Sequence, residues 1–279
     1  MKVVRPLLIV GMMLAAAATP SARAQEPHPP GQVITGRDLR ILGAGTLGAA
    51  GLSAYDVKIA RFFADSSLHR HRLDVIAKRT SAVTETLLMI SGAGVWAIGR
   101  LGHSDGTAEV ALHTTEAVAS GAAFIQIIRG IGGRARPFVA DDSGDVHDSN
   151  QYHFELMHGF RNYDYRSFPS MHAMASFAAA TALTKEMQVH RTRYRQILSP
   201  VLYMAATASP FARMYLDEHW ASDIALGALI GIFSGQKTVT YSHAHARTPV
   251  DRFLLKRETR VGFTVQGGRL SPLISVSSR

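Results

Sequence analysis

The chain has 279 residues, 47% of them hydrophobic and 18% charged, with a formal net charge of +9 and no cysteine. Without cysteine, disulfides, thiolate zinc sites, iron–sulfur clusters and thiol nucleophiles are excluded. The basic balance suits an anionic partner, and nucleic acid, phosphorylated substrate and acidic lipid headgroups all qualify. The length is enough for one large domain with its own core.

At the N-terminus, Lys2 and Arg5 precede an apolar run over residues 7–18, and small residues end in Ala22-Arg23-Ala24. That is the pattern of a secretory signal cut before Gln25, and twelve apolar residues are too few to span a bilayer comfortably. Residues 1–24 are therefore expected to be a signal peptide. Residues 25–38, with Pro27, Pro29 and Pro30, read as an extended leader.

Apolar patterning then predicts helices near 39–63, 82–101, 107–130, 170–186, 192–208 and 217–236. Strand-like alternation is confined to 260–265 and 273–277. The expected fold class is mostly α: a single helical bundle domain of about six helices over 39–238, with a short C-terminal extension over 239–279. The apolar runs at 87–99 and 224–235 are shorter than the roughly 20 residues a span needs. Glu109, His113 and Glu116 lie inside the third helix, where hydrocarbon would penalise them. If all six segments spanned, the basic connections at 58–80 and 184–195 would face opposite sides, against the positive-inside tendency. The expectation is an exported domain, in a periplasm or on the periplasmic side of a membrane, with the number of spans left open.

Three blocks carry chemistry. In the first, Arg129, Arg134 and Arg136 fall within eight residues, with glycines between the first two and Pro137 after the last. Guanidinium forks match phosphate oxygens in bidentate geometry, although a basic helix end is the plainer reading of such a run. In the second, Ser170 is placed to cap a helix whose free N–H groups attract an anion, and His172 falls in its first turn. In the third, Arg213 precedes His219 by six residues, and Asp223 follows four after the histidine. On a helix that spacing puts His219 and Asp223 on one face, where the acid can orient the imidazole.

Together and in this order, the blocks resemble the superfamily of type 2 phosphatidic acid phosphatases, class A acid phosphatases and vanadium haloperoxidases. Arg129 stands where the family usually has lysine, and Arg136-Pro137 match. Pro169, Ser170 and His172 match with Met171 in place of glycine, and Arg213, His219 and Asp223 match with Ala212 in place of serine. The resemblance implies a phosphohydrolase. His219 would be the nucleophile, Asp223 its orienting acid and His172 the general acid. Arg129, Arg136, Arg213, Ser170 and the backbone at Met171 would bind the phosphoryl oxygens. It implies no metal and no cofactor. The expected substrate is a phosphorylated lipid, a polyprenyl diphosphate or a small phosphomonoester, with membrane contact and no nucleic acid. Two alternatives stay open: a vanadate-dependent haloperoxidase, and a phosphate- or lipid-binding protein without activity. Methionine at 171 would be strained if the position needed positive φ and comfortable if it merely begins a helix. The acidic stretch 141–148 fits no EF-hand loop. The histidines at 69, 71, 243 and 245 read as solvated charge for want of partners at useful spacing, and Trp220 and Tyr215 as pocket lining or core.

Overall fold

The computed structural model describes residues 34–65, 67–139, 150–245, 249–255, 258–266 and 269–277. The expected signal peptide, the leader up to residue 33 and the acidic stretch 141–148 lie outside the described residues. The helices are α1 (Gly36–Ser53), α2 (Asp56–Phe63), α3 (His71–Ser81), α4 (Glu85–Leu101), α5 (Asp105–Gly132), α6 (Met171–Val189), α7 (Arg195–Tyr215), α8 (Ala221–Ala244) and α9 (Pro249–Leu254). The class is mostly α, as expected, with more helices than six.

The differences have local causes. Helix α1 starts inside the expected leader because Thr35 and Asp38 form a capping box. The Thr35 hydroxyl accepts from the Asp38 N–H at 3.3 Å, and the Asp38 carboxylate accepts from the Thr35 N–H at 2.8 Å. The first expected helix breaks at Ala54 and Tyr55, which lets Asp56 open α2 with its carboxylate turned into the core. The basic connection after it holds α3, which packs on α7. Helix α7 runs on past Pro210 to Tyr215. There the packing of Ala206 and Met214 against Phe177 and Ala180 of α6 overrides the usual break at proline.

The core is built around α6 and α8, which pack on each other along glycines of α8. A Cβ at Gly227 would lie 2.4 Å from the Ser170 carbonyl oxygen, and one at Gly231 would lie 2.3 Å from that of Met174. Helix α5 covers one side of this pair, with Val118 and Ile125 against Met171, Met174 and Ala178. Helix α7 covers another. Helix α8 continues past the expected boundary at 238, and Leu254 and Leu255 dock on Ala108, Leu112 and Trp96. The C-terminal extension is thus tied to the bundle. It ends in an antiparallel pair, β1 (Glu258–Gln266) and β2 (Arg269–Ser277), with Glu258 opposite Ser277.

Among the described residues, no single helix is long and apolar enough to cross a membrane, whereas α3 and α4, bent by 58°, pass that test as a pair. Large apolar side chains nonetheless face outward, among them Leu47, Ile90, Ile98 and Leu101 of α1 and α4.

The close approach of α6 and α8 sets a test. Gly231→Ala forces a methyl onto the Met174 carbonyl and is expected to cost about 1–3 kcal/mol. Gly94→Ala, at an exposed site of α4 with nothing within 4 Å, is expected to be neutral or stabilising. Thermal unfolding of the two variants checks this. Equal melting points would contradict the packing described.

Candidate active site

The N-terminal ends of α6 and α8 meet at one end of the bundle. Ser170 is the N-cap of α6, its hydroxyl accepting from the Ala173 N–H at 3.4 Å, and its own N–H donates to the Asp223 carbonyl at 3.0 Å. Met171 begins the helix without positive φ, so it carries no strain, and its side chain is buried in the core. His172 sits in the first turn, with Nε2 3.1 Å from the Ser81 carbonyl. A carbonyl can only accept, so Nε2 carries the proton, and Nδ1 is the nitrogen left for proton transfer.

His219 and Asp223 do not share a helical face as the spacing suggested. His219 precedes α8, Trp220 is the N-cap, and Asp223 lies in the first turn, accepting from the Trp220 N–H at 2.9 Å. This is capping geometry, and it still brings the two together. His219 Nδ1 lies 3.7 Å from Asp223 Oδ2, too long for a hydrogen bond, and has no other hydrogen-bond partner among the described residues. Such contacts commonly tighten when substrate binds. The ring centroids of His172 and His219 are 6.4 Å apart.

Asp223 is held from three sides. Arg134 Nη1 donates at 2.5 Å, Ser167 Oγ at 2.5 Å, and the Trp220 N–H completes the set. Arg134 itself is buried. Its second nitrogen, Nη2, donates to Asp56 at 2.9 Å and to the Gln151 carbonyl at 2.6 Å, and its Nη1 also reaches Ser222 Oγ at 2.8 Å. Of the three arginines in the first block, Arg134 is therefore the buried brace. It reaches this place because Gly133 ends α5 at φ 57°, where a Cβ would lie 1.7 Å from the Glu155 carbonyl. Ala135 and Glu155 then pair with His153 and Gly133 across the turn.

The other cations converge on Glu218. Arg136 Nη1 lies 2.7 Å from its Oε2 and Arg213 Nη2 2.9 Å from the same oxygen, and the Tyr163 hydroxyl donates to it at 2.9 Å. The Tyr163 ring covers the Arg136 guanidinium at 4.0 Å. Arg129, half-buried and steadied by Gln126 at 2.9 Å, is close enough that its charge disfavours that of Arg136. Glu218, Tyr163, Asp56 and Ser167 were not singled out as site residues from the sequence, and Arg134 was noted there only as one of three arginines that could meet a phosphate. The adjacent acids Asp217 and Glu218 directly before His219 were the available signal for Glu218. The others join the site through contacts far apart in the chain.

Burial pushes the His219 imidazole down to about 4, with the Asp223 charge opposing and Arg136 and Arg213 adding to the shift. Burial also pushes His172 down to about 3, helped by Arg213 and His219. Both rings are neutral at pH 7 in the free protein. Asp56 is pushed up to about 6 by burial, against the pull of Arg134.

Residues 111–247 match the PAP2 superfamily. Just under half of the chain therefore carries the pattern of that superfamily. The matched segment contains every proposed site residue from Arg129 to Asp223. A solved structure from Bacillus subtilis, described as the first transmembrane PAP2 type phosphatidylglycerolphosphate phosphatase, is similar at 17% identity, covering 88% of this chain and 97% of its own, with a TM-score of 0.40. No curated protein sequence matches.

Two outcomes follow for the site. Arg134→Ala strands Asp223 in the core and is expected to cost about 3–5 kcal/mol. Asp56→Asn, compared at pH 5, is expected to cost much less, because an acid pushed up to about 6 is already mostly protonated there. Denaturant unfolding distinguishes them, and comparable losses would contradict the brace. The second concerns acid. His219 binds its proton at pH 6.5 when unfolded but at about 4 when folded, so between those values the unfolded chain holds more protons and stability falls as pH falls. His219→Asn should remove a loss on the order of 3 kcal/mol across that window. An unchanged pH profile would refute the depressed value.

Proposed function

We propose that this protein is a phosphatase of the PAP2 superfamily that removes phosphate from a phosphorylated lipid through a phosphohistidine formed on His219. The observation that carries the proposal is the convergence of Arg136, Arg213 and Tyr163 on one carboxylate oxygen of Glu218, immediately beside a buried, uncharged histidine. A set of donors that grips a carboxylate in this way is suited to gripping phosphoryl oxygens.

In the proposed reaction a phosphate monoester displaces Glu218 from Arg136 and Arg213, with Arg129 at the margin and the N–H groups at the start of α6 adding donors. His219 Nε2 attacks phosphorus as the ester P–O bond breaks, and Asp223 stabilises the imidazolium that results. His172 gives its Nδ1 proton to the departing oxygen. The free ring holds that proton too weakly at neutral pH, so the negative charge of the bound substrate must put it there. Water, deprotonated by the same Nδ1, then attacks the phosphohistidine and releases phosphate. The guanidinium groups neutralise charge that other phosphatases assign to metal ions, so chelators are not expected to stop turnover.

The outward apolar side chains of α1 and α4, with Phe124, Ile127 and Ile131 of α5, favour a lipid over a soluble ester, since such surface is well suited to a bilayer. Phe124, Ile127 and Ile131 lie on the helix that carries Arg129, and α4 packs against that helix.

The proposal predicts that His219→Ala abolishes phosphate release from vesicles containing a phosphorylated lipid, and turnover equal to the parent would end it. Glu218→Gln removes the competing charge but keeps the shape. It should lower KM for substrate and Ki for vanadate by roughly 10-fold, about 1.4 kcal/mol. Weaker vanadate inhibition in that variant would show that Glu218 assists binding. Preference for a short soluble ester over the vesicle substrate would remove the lipid from the account and leave the chemistry.

A further inference from the structure

A second cluster of titratable side chains lies at the other end of the bundle. Glu186 is on the last turn of α6, His190 is the C-cap of that helix, and His243 is on the last turn of α8. Because α8 rises about 1.5 Å per residue, the cluster is roughly 30 Å from His219. Glu186 is 1% exposed, and the imidazoles of His113, His190 and His243 meet its carboxylate.

We propose that Glu186, His190 and His243 bind a divalent transition-metal ion of the zinc type. Glu186 Oε2 lies 3.0 Å from His243 Nε2 and 3.3 Å from His190 Nε2. Ligand bonds of about 2.0–2.2 Å at tetrahedral angles put neighbouring ligand atoms about 3.3–3.5 Å apart. The three ligand atoms all lie within 4.8 Å of one another. One carboxylate and two imidazoles form a donor set that suits zinc and later first-row metals better than magnesium or calcium. His190 is 40% exposed and His243 24%, so an ion has a path in and a fourth position for water.

The surroundings are built as the support of such a site. His113 Nδ1 lies 2.6 Å from Glu186 Oε1 and fixes the carboxylate. The far nitrogen of the same ring, Nε2, is buried without a hydrogen-bond partner and lies 3.5 Å from Asp251 Oδ1. Glu109 Oε1 lies 3.9 Å from His243 Nδ1, beyond hydrogen-bond distance, and adds a further carboxylate beside the site. The ion would clamp the C-terminal ends of α6 and α8 at the point where α9 docks.

The test uses the full chain, free of any histidine tag and stripped with chelator, titrated with zinc by calorimetry and followed by thermal unfolding. The expected result is a single equivalent bound and a raised melting point, with neither effect from magnesium or calcium. His190→Ala, at an exposed helix end where folding is not at risk, and His243→Ala should each weaken binding at least about 10-fold. His113→Gln should weaken it by about 10–100-fold, and His219→Ala and His245→Ala should leave it unchanged. Cobalt in place of zinc should show the visible bands of a tetrahedral site. Failure of the parent to bind zinc, or equal binding by His190→Ala and His243→Ala, would overturn the proposal, and neither result bears on phosphate release.

Discussion

Arg134 carries a guanidinium into the centre of the fold, where Asp56 from α2 and Asp223 from α8 meet it, and the rest of the site depends on that junction. The pairing joins three distant parts of the chain: the start of α2, the turn after α5 and the start of α8. Replacing the set with apolar groups need not destabilise the protein, but removing one member leaves an unpaired charge in the core. What the junction provides is position. Asp223 is pinned by Arg134, Ser167 and Trp220, so His219 stands beside a fixed negative charge while remaining neutral itself. The turn that holds Arg134 also aims Arg136 the other way, toward Glu218 and the open side of the site.

The division between Arg134 and Arg136 shows how two identical side chains two residues apart take opposite roles. Arg134 is enclosed by Phe154, Phe168 and Trp220, with its charge met by two acids. Arg136 is also buried, but its carboxylate partner sits on a loop beside the histidine. Burial lowers Arg136 to about 10, which still leaves it charged at neutral pH and unusually receptive to a stronger anion. The contrast is one of environment, and the glycine at 133 sets it by directing the chain after α5.

Much of this was legible in the sequence. The helical class, the capping serine at 170, the histidine in the turn after it, and the grouping of Arg213, His219 and Asp223 all rest on short-range spacing. What failed to show depended on distance. Asp56 and Arg134 are 78 residues apart, and nothing near Asp56 distinguishes it from a solvated acid at a helix start. His243 was read as solvated charge because its neighbours in the chain offer no ligand; its partner Glu186 is 57 residues away. The reading of His219 and Asp223 as residues of one helix had the right consequence from the wrong geometry, since a cap and a helical face both bring residues four apart together. The concern over Met171 also dissolved for a local reason: the position begins α6 and its side chain turns into the core.

The central claim is that phosphorus passes through His219, and the most direct measurement is to trap it there. The full chain is mixed with a phosphorylated-lipid substrate, quenched in alkali within the first turnover and digested for mass spectrometry. The account predicts an acid-labile, base-stable phosphoryl group on the peptide carrying His219, and its absence from His219→Asn. A phosphoryl group found on another residue, or rapid phosphate release from the His219→Asn variant, would contradict it.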